Sequence, residues 1–172
     1  SGCEEKKRCW SRQSYFINLV SKMRANFSPN NNPRVIIIQK LYGKFFNKDE
    51  ILEYPKHRFK KFIKDIVSGT IEREELILEE LNKNFGKKLN FRNLDKILQV
   101  VLKSATYELL YKPNLSINII IKEYLDASNF FINDKQIKYL NALLDTMAKN
   151  IRSSNAWIWY YKKIFFKIII KK

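Results

Sequence analysis

The sequence is poor in the residues that build metal sites, disulfide scaffolds and phosphate-binding loops. Its 172 residues include only four Gly, four Pro, two Cys and one His. The four glycines are scattered, so they cannot form a Gly-rich phosphate loop. Cys3, Cys9 and His57 are too few for a zinc site, and we expect free thiols in a reducing compartment in preference to a disulfide. The sequence therefore predicts no metal and no cofactor.

Arrangements typical of catalysis are also lacking. The lone His57 lies between Lys56 and Arg58 at a predicted helix start, which favours a solvated side chain over a general base. The acidic run from Glu72 to Glu80 could supply paired carboxylates, but a helix face in contact with water raises a carboxyl pKa only slightly. We favour a solvated face there, and we predict no catalytic residues and no enzymatic activity.

No stretch of the chain predicts a membrane-spanning helix. The longest apolar run, 156–170, is interrupted by three lysines and is shorter than the roughly 20 residues that a span needs. The charged residues near the N-terminus do not resemble a signal peptide. We expect a cytoplasmic protein. The aromatic and lysine-rich residues 153–172 could pack on the domain, support a homodimer or contact a membrane surface; we favour the first two over the membrane.

The charge balance points to a polyanionic partner. The formal net charge is +16, from 33 Lys and Arg against 17 Asp and Glu. Residues 29–152 keep an excess, with 22 basic and 15 acidic side chains. Such an excess is typical of proteins that bind nucleic acid or an anionic membrane.

Apolar residues recur every three to four positions through most of the chain, which predicts an all-α fold. We predict an N-terminal extension over residues 1–32, a helical domain over 33–152 and a C-terminal extension over 153–172. Asn32 and Pro33 are a typical N-cap and first helical residue. The predicted helices cover about 33–46, about 56–85 as one long helix with a possible bend at Gly69, about 93–111, about 116–130 and about 133–151.

Four segments in order resemble the NusB family. The segment Val101–Leu110 is similar to the family pattern I-L-R-x-x-x-Y-E-L, and Ile121–Phe131 follows it as the family's I-N-E-Y-x-D-x-A helix does. Tyr139–Asp145 resembles F-V-N-G-V-L-D, and Arg34–Tyr42 resembles R-x-x-A-x-Q-A-L-Y. Each pattern alone is weak, but their order and spacing together are specific over about residues 33–152.

The resemblance implies a compact helical bundle of two small subdomains without enzymatic activity. Members of the family are transcription antitermination factors that bind the boxA segment of ribosomal RNA leaders. They do so together with NusE, a ribosomal protein, within the RNA polymerase antitermination complex. A competing interpretation is a NusB-like N-terminal fragment of a ribosomal RNA methyltransferase, whose catalytic domain the 20 residues after Arg152 cannot hold.

The resemblance also implies an RNA surface that joins the first helix to the start of the last one. On this sequence it comprises six residues: Arg34, Tyr42, Phe131, Lys135, Gln136 and Tyr139. Cations that face phosphates and aromatic rings that stack on bases are the usual means of holding single-stranded RNA. Phe131 and Tyr139 could equally be core residues, whereas we expect Tyr107 and Glu108 to serve the fold.

The surface for NusE is less defined. Glu72, Glu75 and Glu79 form the best acidic patch for a basic ribosomal protein. An ordinary solvated helix face explains the same residues, and the sequence leaves both interpretations open.

Overall fold

The computed structural model describes residues 32–47, 49, 51–86 and 89–152; almost all of the predicted N-terminal extension and all of the predicted C-terminal one lie outside the described residues. The described part contains six α-helices, one short 3-10 helix and no strand, which confirms the predicted all-α fold. The helices are α1 (Pro33–Phe46), α2 (Lys60–Glu72), α3 (Glu74–Phe85), α4 (Lys96–Tyr111), α5 (Ile117–Ser128) and α6 (Asp134–Arg152), with the 3-10 helix at Phe91–Asn93.

Four helices begin at residues whose side chains satisfy the first free backbone N–H groups. The Asn32 side chain accepts a hydrogen bond from the Arg34 amide at 2.9 Å, as the sequence predicts. Asp95 accepts from the Ile97 amide before α4, and Ser116 accepts from the Ile119 amide before α5. Asn133 caps α6. Because these signals are local, the sequence places the starts of α1, α5 and α6 to within about two residues.

The single long helix predicted over about 56–85 is wrong, because the structure contains two helices. The break lies at Arg73, whose backbone angles of φ −111° and ψ 25° leave the helical region. It allows the two halves to pack on different neighbours: α2 packs on α1 and α4, whereas α3 packs on α4 and α6. The predicted end at Gly86 is confirmed, since this residue has a positive φ of 49° that glycine adopts without strain.

Helix α4 is the centre of the domain and packs against all five other α-helices. Val101, Leu102, Ala105 and Leu109 have no solvent exposure, which confirms the buried face that their spacing predicts. A helix that is buried on nearly every side needs apolar residues all round its axis. Helices α2, α3, α5 and α6 bury one stripe each, whereas α1 buries all the residues from Pro33 to Ile38.

Gly69 lies where α2 packs closely against Tyr107 of α4. A Cβ atom added at Gly69 would overlap the ring of Tyr107. That ring is 4% exposed and stacks on Tyr111 with 4.7 Å between ring centroids. The glycine therefore allows close packing of two helices, and the bend that the sequence suggested at this position lies four residues later. Tyr107 is a fold residue, as expected.

Candidate nucleic-acid interface

Arg34, the first predicted RNA-binding residue, is buried in the first turn of α1. Its guanidinium forms an ion pair with Glu108 of α4 at 2.7 Å and a longer one with Glu123 of α5 at 3.4 Å. It also lies over the rings of Phe62 and Tyr124, at 5.4 and 5.5 Å from their centroids. The Arg34 guanidinium thus makes its contacts inside the domain. Direct contact between Arg34 and RNA stays a prediction, and this geometry does not support it.

Glu108 is the acidic centre of the same cluster and has no solvent exposure. Its second carboxylate oxygen accepts a hydrogen bond from the Tyr124 hydroxyl at 2.8 Å. Burial raises the pKa of Glu108, while the charge of Arg34 and the hydrogen bonds from Arg34 and Tyr124 oppose that rise. The cluster ties α1 to α4 and α5, as expected of a carboxylate that serves the fold.

The other end of the predicted surface is solvent-accessible. Lys135 and Tyr139 are exposed and lie one turn apart on α6, so they share a face of this helix. The Tyr139 ring is 43% exposed, which makes it available for stacking. Phe131 is half-buried in the turn between α5 and α6. We call these three residues the α6 platform.

Gln136 has a structural task beside this platform. Its amide oxygen accepts a hydrogen bond from the Asn133 backbone N–H at 3.3 Å, and the Asn133 side chain accepts one from the Gln136 N–H at 2.9 Å. This reciprocal pair is a capping box that fixes the first turn of α6. Its effect is to orient Lys135 and, one turn later, Tyr139.

Tyr42 lies in the second half of α1, two turns from Arg34, and is half-buried. Its ring packs against Phe46 with 4.9 Å between centroids. Phe45 and Phe46 are 37% and 49% exposed, and Lys96 lies 4.7 Å from the Phe45 centroid. Sequence reasoning missed these two rings, although three aromatic residues within 42–46 were a visible signal. Helix α5 packs against both α1 and α6, the two helices that carry predicted RNA-binding residues.

The predicted acidic surface is divided by the break at Arg73. Glu72, at the end of α2, pairs with Arg73 at 3.7 Å. Glu75 and Glu79 are exposed and lie one turn apart on α3. The structure therefore keeps two of the three carboxylates on one helix face. Among the residues that the structure describes, no group of three or more His, Cys, Asp or Glu side chains could hold a metal ion.

Within the same described ranges, every helix is too short or too polar to cross a bilayer.

Comparison with known proteins gives matches to one family. A family model described as "NusB family" matches residues 31–149. The transcription antitermination protein NusB of Novosphingobium aromaticivorans is 30% identical over 103 residues, which are 60% of this chain and 69% of that protein. Its counterpart from Bartonella henselae is 30% identical over 87 residues, which are 51% of this chain and 55% of that protein. The matched region thus spans between about half and two thirds of these relatives.

A solved structure shares the fold. The T. maritima NusB structure superposes with a TM-score of 0.61 and 24% sequence identity, and the match covers 71% of this chain and 92% of that one. At this level of identity the similarity concerns the path of the helices.

Proposed function

The chain belongs to the NusB family, and on that premise we propose that it acts in transcription antitermination by binding a single-stranded boxA-type RNA leader together with NusE. In this proposal the protein binds the RNA and NusE in one assembly, and it neither catalyses a reaction nor uses a cofactor. NusE and the RNA polymerase antitermination complex are the macromolecular partners of this proposal.

The observation that carries the proposal is the α6 platform. An exposed cation, Lys135, lies one turn from an exposed ring, Tyr139, and the half-buried Phe131 lies in the turn before α6. A phosphate pairs with Lys135, and an unstacked base stacks on Tyr139. The capping box of Asn133 and Gln136 supports this assignment, because it holds the first turn of α6 in place before RNA arrives. A rigid platform loses less entropy on binding.

In this proposal Arg34 acts as a positioning residue. Its pairing with Glu108 and Glu123 holds the first turn of α1 against α4 and α5. Helix α5 in turn precedes the turn that carries Phe131. Arg34 thus supports the RNA surface through the fold, whereas Tyr42 together with Phe45 and Phe46 provides further rings on α1.

For NusE we propose the α3 carboxylates Glu75 and Glu79. Both are exposed, and their charge complements a basic ribosomal protein. Lys83 and Arg73 are the neighbouring cations on the same stretch, and Arg73 lies over the Tyr111 ring at 4.9 Å.

An electrophoretic shift with the full chain tests the proposal. A boxA-type RNA and a scrambled RNA of the same composition are each titrated with and without NusE. We expect tighter binding to the boxA-type RNA, and a further gain when NusE is present. Equal binding to the two RNAs would contradict the proposed function. A variant with both Glu75→Lys and Glu79→Lys should lose the gain from NusE while binding the RNA alone as before.

A further inference from the structure

A second concentration of cations lies at the start of α2, away from the α6 platform. Residues 56–64 contain five cations and no acidic residue: Lys56, Arg58, Lys60, Lys61 and Lys64. All five are exposed. Lys60, Lys61 and Lys64 have the spacing of one helix face, while Ile63, Ile66 and Val67 of the same helix are buried. We call these three lysines, with Arg58 and Phe59, the α2 cationic face.

Within the described part of the chain, no acidic side chain pairs with these five cations. The adjacent carboxylate, Asp65, is bonded by Lys112 of the α4–α5 loop. Cations in the first turn of a helix also face the positive end of its dipole, which costs a few tenths of a kcal/mol each at the surface. The cluster therefore has an electrostatic cost in the free protein that a bound anion would relieve.

The position of the face links it to the start of α1. The ring of Phe62, in the first turn of α2, lies 5.4 Å from the guanidinium carbon of Arg34. Arg34 reaches Glu123 of α5, and Asn32 donates a hydrogen bond to the Glu123 carbonyl at 3.3 Å. The starts of α1 and α2 are thus neighbours, and the start of α1 adjoins α5. A strand bound near α5 could continue onto α2.

An exposed ring accompanies the cations. Phe59 is 37% exposed, and the Arg58 guanidinium carbon lies 4.4 Å from its ring centroid. His57 packs 5.7 Å from the same ring and accepts a hydrogen bond from the Phe59 amide at its Nδ1. A ring that is held in place beside several cations is the arrangement that suits an unpaired nucleotide.

We propose that the α2 cationic face binds the phosphate backbone of single-stranded RNA that flanks the segment held at the α6 platform. This inference rests on the proposed function and extends the RNA track to a second helix. Lys60, Lys61 and Lys64 each contact phosphate, and Phe59 offers a stacking surface. An anionic membrane fits less well, because the apolar stripe of α2 is buried in the core and cannot insert between lipids.

The test compares two triple variants of the full chain that remove the same charge. The first is Lys60→Gln, Lys61→Gln and Lys64→Gln; the control is Lys83→Gln, Lys122→Gln and Lys149→Gln, three exposed lysines on α3, α5 and α6. Each variant is titrated, at several salt concentrations, with a boxA-type RNA and with the same RNA extended by unstructured nucleotides at both ends. Circular dichroism confirms that both variants fold.

We expect the α2 variant to bind the extended RNA at least tenfold more weakly, with a salt slope shallower by about 2, from roughly 0.7 per phosphate contact. Its binding to the short RNA should change little, and the control should lose less than threefold on either RNA. An unchanged slope on the extended RNA, or an equal loss in the control, overturns this inference alone.

Two further outcomes separate the inference from its premise. If the unmodified chain binds neither RNA, both this inference and the proposed function fail. If the α2 variant binds the extended RNA normally but no longer binds vesicles that contain anionic lipid, the face is a membrane contact and the RNA assignment is wrong.

Discussion

The guanidinium of Arg34 lies 2.7 Å from the carboxylate of Glu108, inside the domain and 74 residues away along the chain. Arg34 belongs to the first turn of α1 and Glu108 to the central helix α4. A buried ion pair is stabilised when neighbouring groups provide further hydrogen bonds to it. Tyr124 donates one to Glu108 and Glu123 accepts one from Arg34, whereas the buried Arg34 Nε has no partner among the described residues. The pair and these two contacts tie α1, α4 and α5 together.

Removing one member of this pair should be strongly destabilising. Arg34→Ala leaves the Glu108 carboxylate buried without its cation, and we expect a loss of about 3–5 kcal/mol in the free energy of unfolding. The double variant Arg34→Met with Glu108→Gln should lose less than the sum of the single variants, because it leaves no unpaired charge. Urea unfolding compares the unmodified protein, Arg34→Ala, the single variants Arg34→Met and Glu108→Gln, and the double variant. A loss below about 1 kcal/mol for Arg34→Ala would contradict the role of the pair.

Stability should also depend on pH through Glu108. Burial raises its pKa above the ordinary value of 4.5, so between pH 4.5 and the raised pKa the folded state retains a proton that the unfolded state has released, and above the raised pKa Glu108 is the charged partner of Arg34. The contribution of this group is full below pH 4.5 and is lost as the pH rises through the raised pKa. Tyr124→Phe removes a hydrogen bond to the charged form, which should raise the pKa of Glu108 further.

Unfolding by urea at a series of pH values above 4.5 tests this expectation. The difference in unfolding free energy between the unmodified protein and Tyr124→Phe should increase as the pH rises, and should be smallest near pH 4.5. A difference that stays constant over the series, or one that shrinks with increasing pH, would contradict the assigned direction. The comparison of two proteins removes the contributions of carboxyl groups outside the cluster.

In the variant Gly69→Ala, helix propensity and packing have opposite effects on stability. Alanine is favoured over glycine in a helix by about 1 kcal/mol, but its Cβ would overlap the buried Tyr107 ring. We expect the overlap to prevail, with a net loss of about 1–3 kcal/mol in the free energy of unfolding. Ser68→Ala, at the neighbouring half-buried position, is the control and should be neutral or slightly stabilising. Thermal unfolding distinguishes them, and a more stable Gly69→Ala protein would disprove the close approach.

The α6 platform predicts separate effects for its cation and its ring. Lys135→Ala should weaken binding to boxA-type RNA and reduce the salt slope by about 0.7. Tyr139→Ala should cost about 1–3 kcal/mol of binding free energy through lost stacking, whereas Tyr139→Phe should keep most of it. Lys149→Ala, at the far end of α6, is the control for charge. Equal affinities for Tyr139→Ala and Tyr139→Phe would remove the ring from the RNA surface.

Arg152 at the end of α6 should stabilise the C-terminal end of α4. Its guanidinium donates to the carbonyl oxygens of Leu109 at 3.2 Å and Lys112 at 2.8 Å, and also to that of Leu115. Arg152→Ala should cost about 1–3 kcal/mol of unfolding free energy, since it removes three hydrogen bonds from a charged donor to carbonyls at and just after the end of α4. Arg152→Lys should recover only part of this. Lys149→Ala, which removes the exposed pair with Asp145, should change stability by less than about 0.5 kcal/mol.

The order of the helices and most of their limits could be predicted because their signals are local. Asn32 and Pro33 start α1, Gly86 ends α3, and Ser116 starts α5, each through contacts within three or four residues along the chain. The buried faces follow in the same way from the spacing of apolar residues. The sequence did not predict the break at Arg73, because arginine is a good helix former. In the structure the Arg73 guanidinium lies over the rings of Tyr107 and Tyr111 on α4.

The sequence by itself determined an all-helical domain, its family and the residue types that an RNA surface would need. Only the tertiary structure decided which of those residues face water. Arg34 points inward because Glu108 and Glu123, 74 and 89 residues away, meet it there. Lys135, Tyr139 and the lysines of α2 point outward because the apolar stripes of their helices are used by the core. Whether a charged side chain is buried or exposed depends on partners that are distant in sequence. The spacing of residues along one helix therefore cannot predict it.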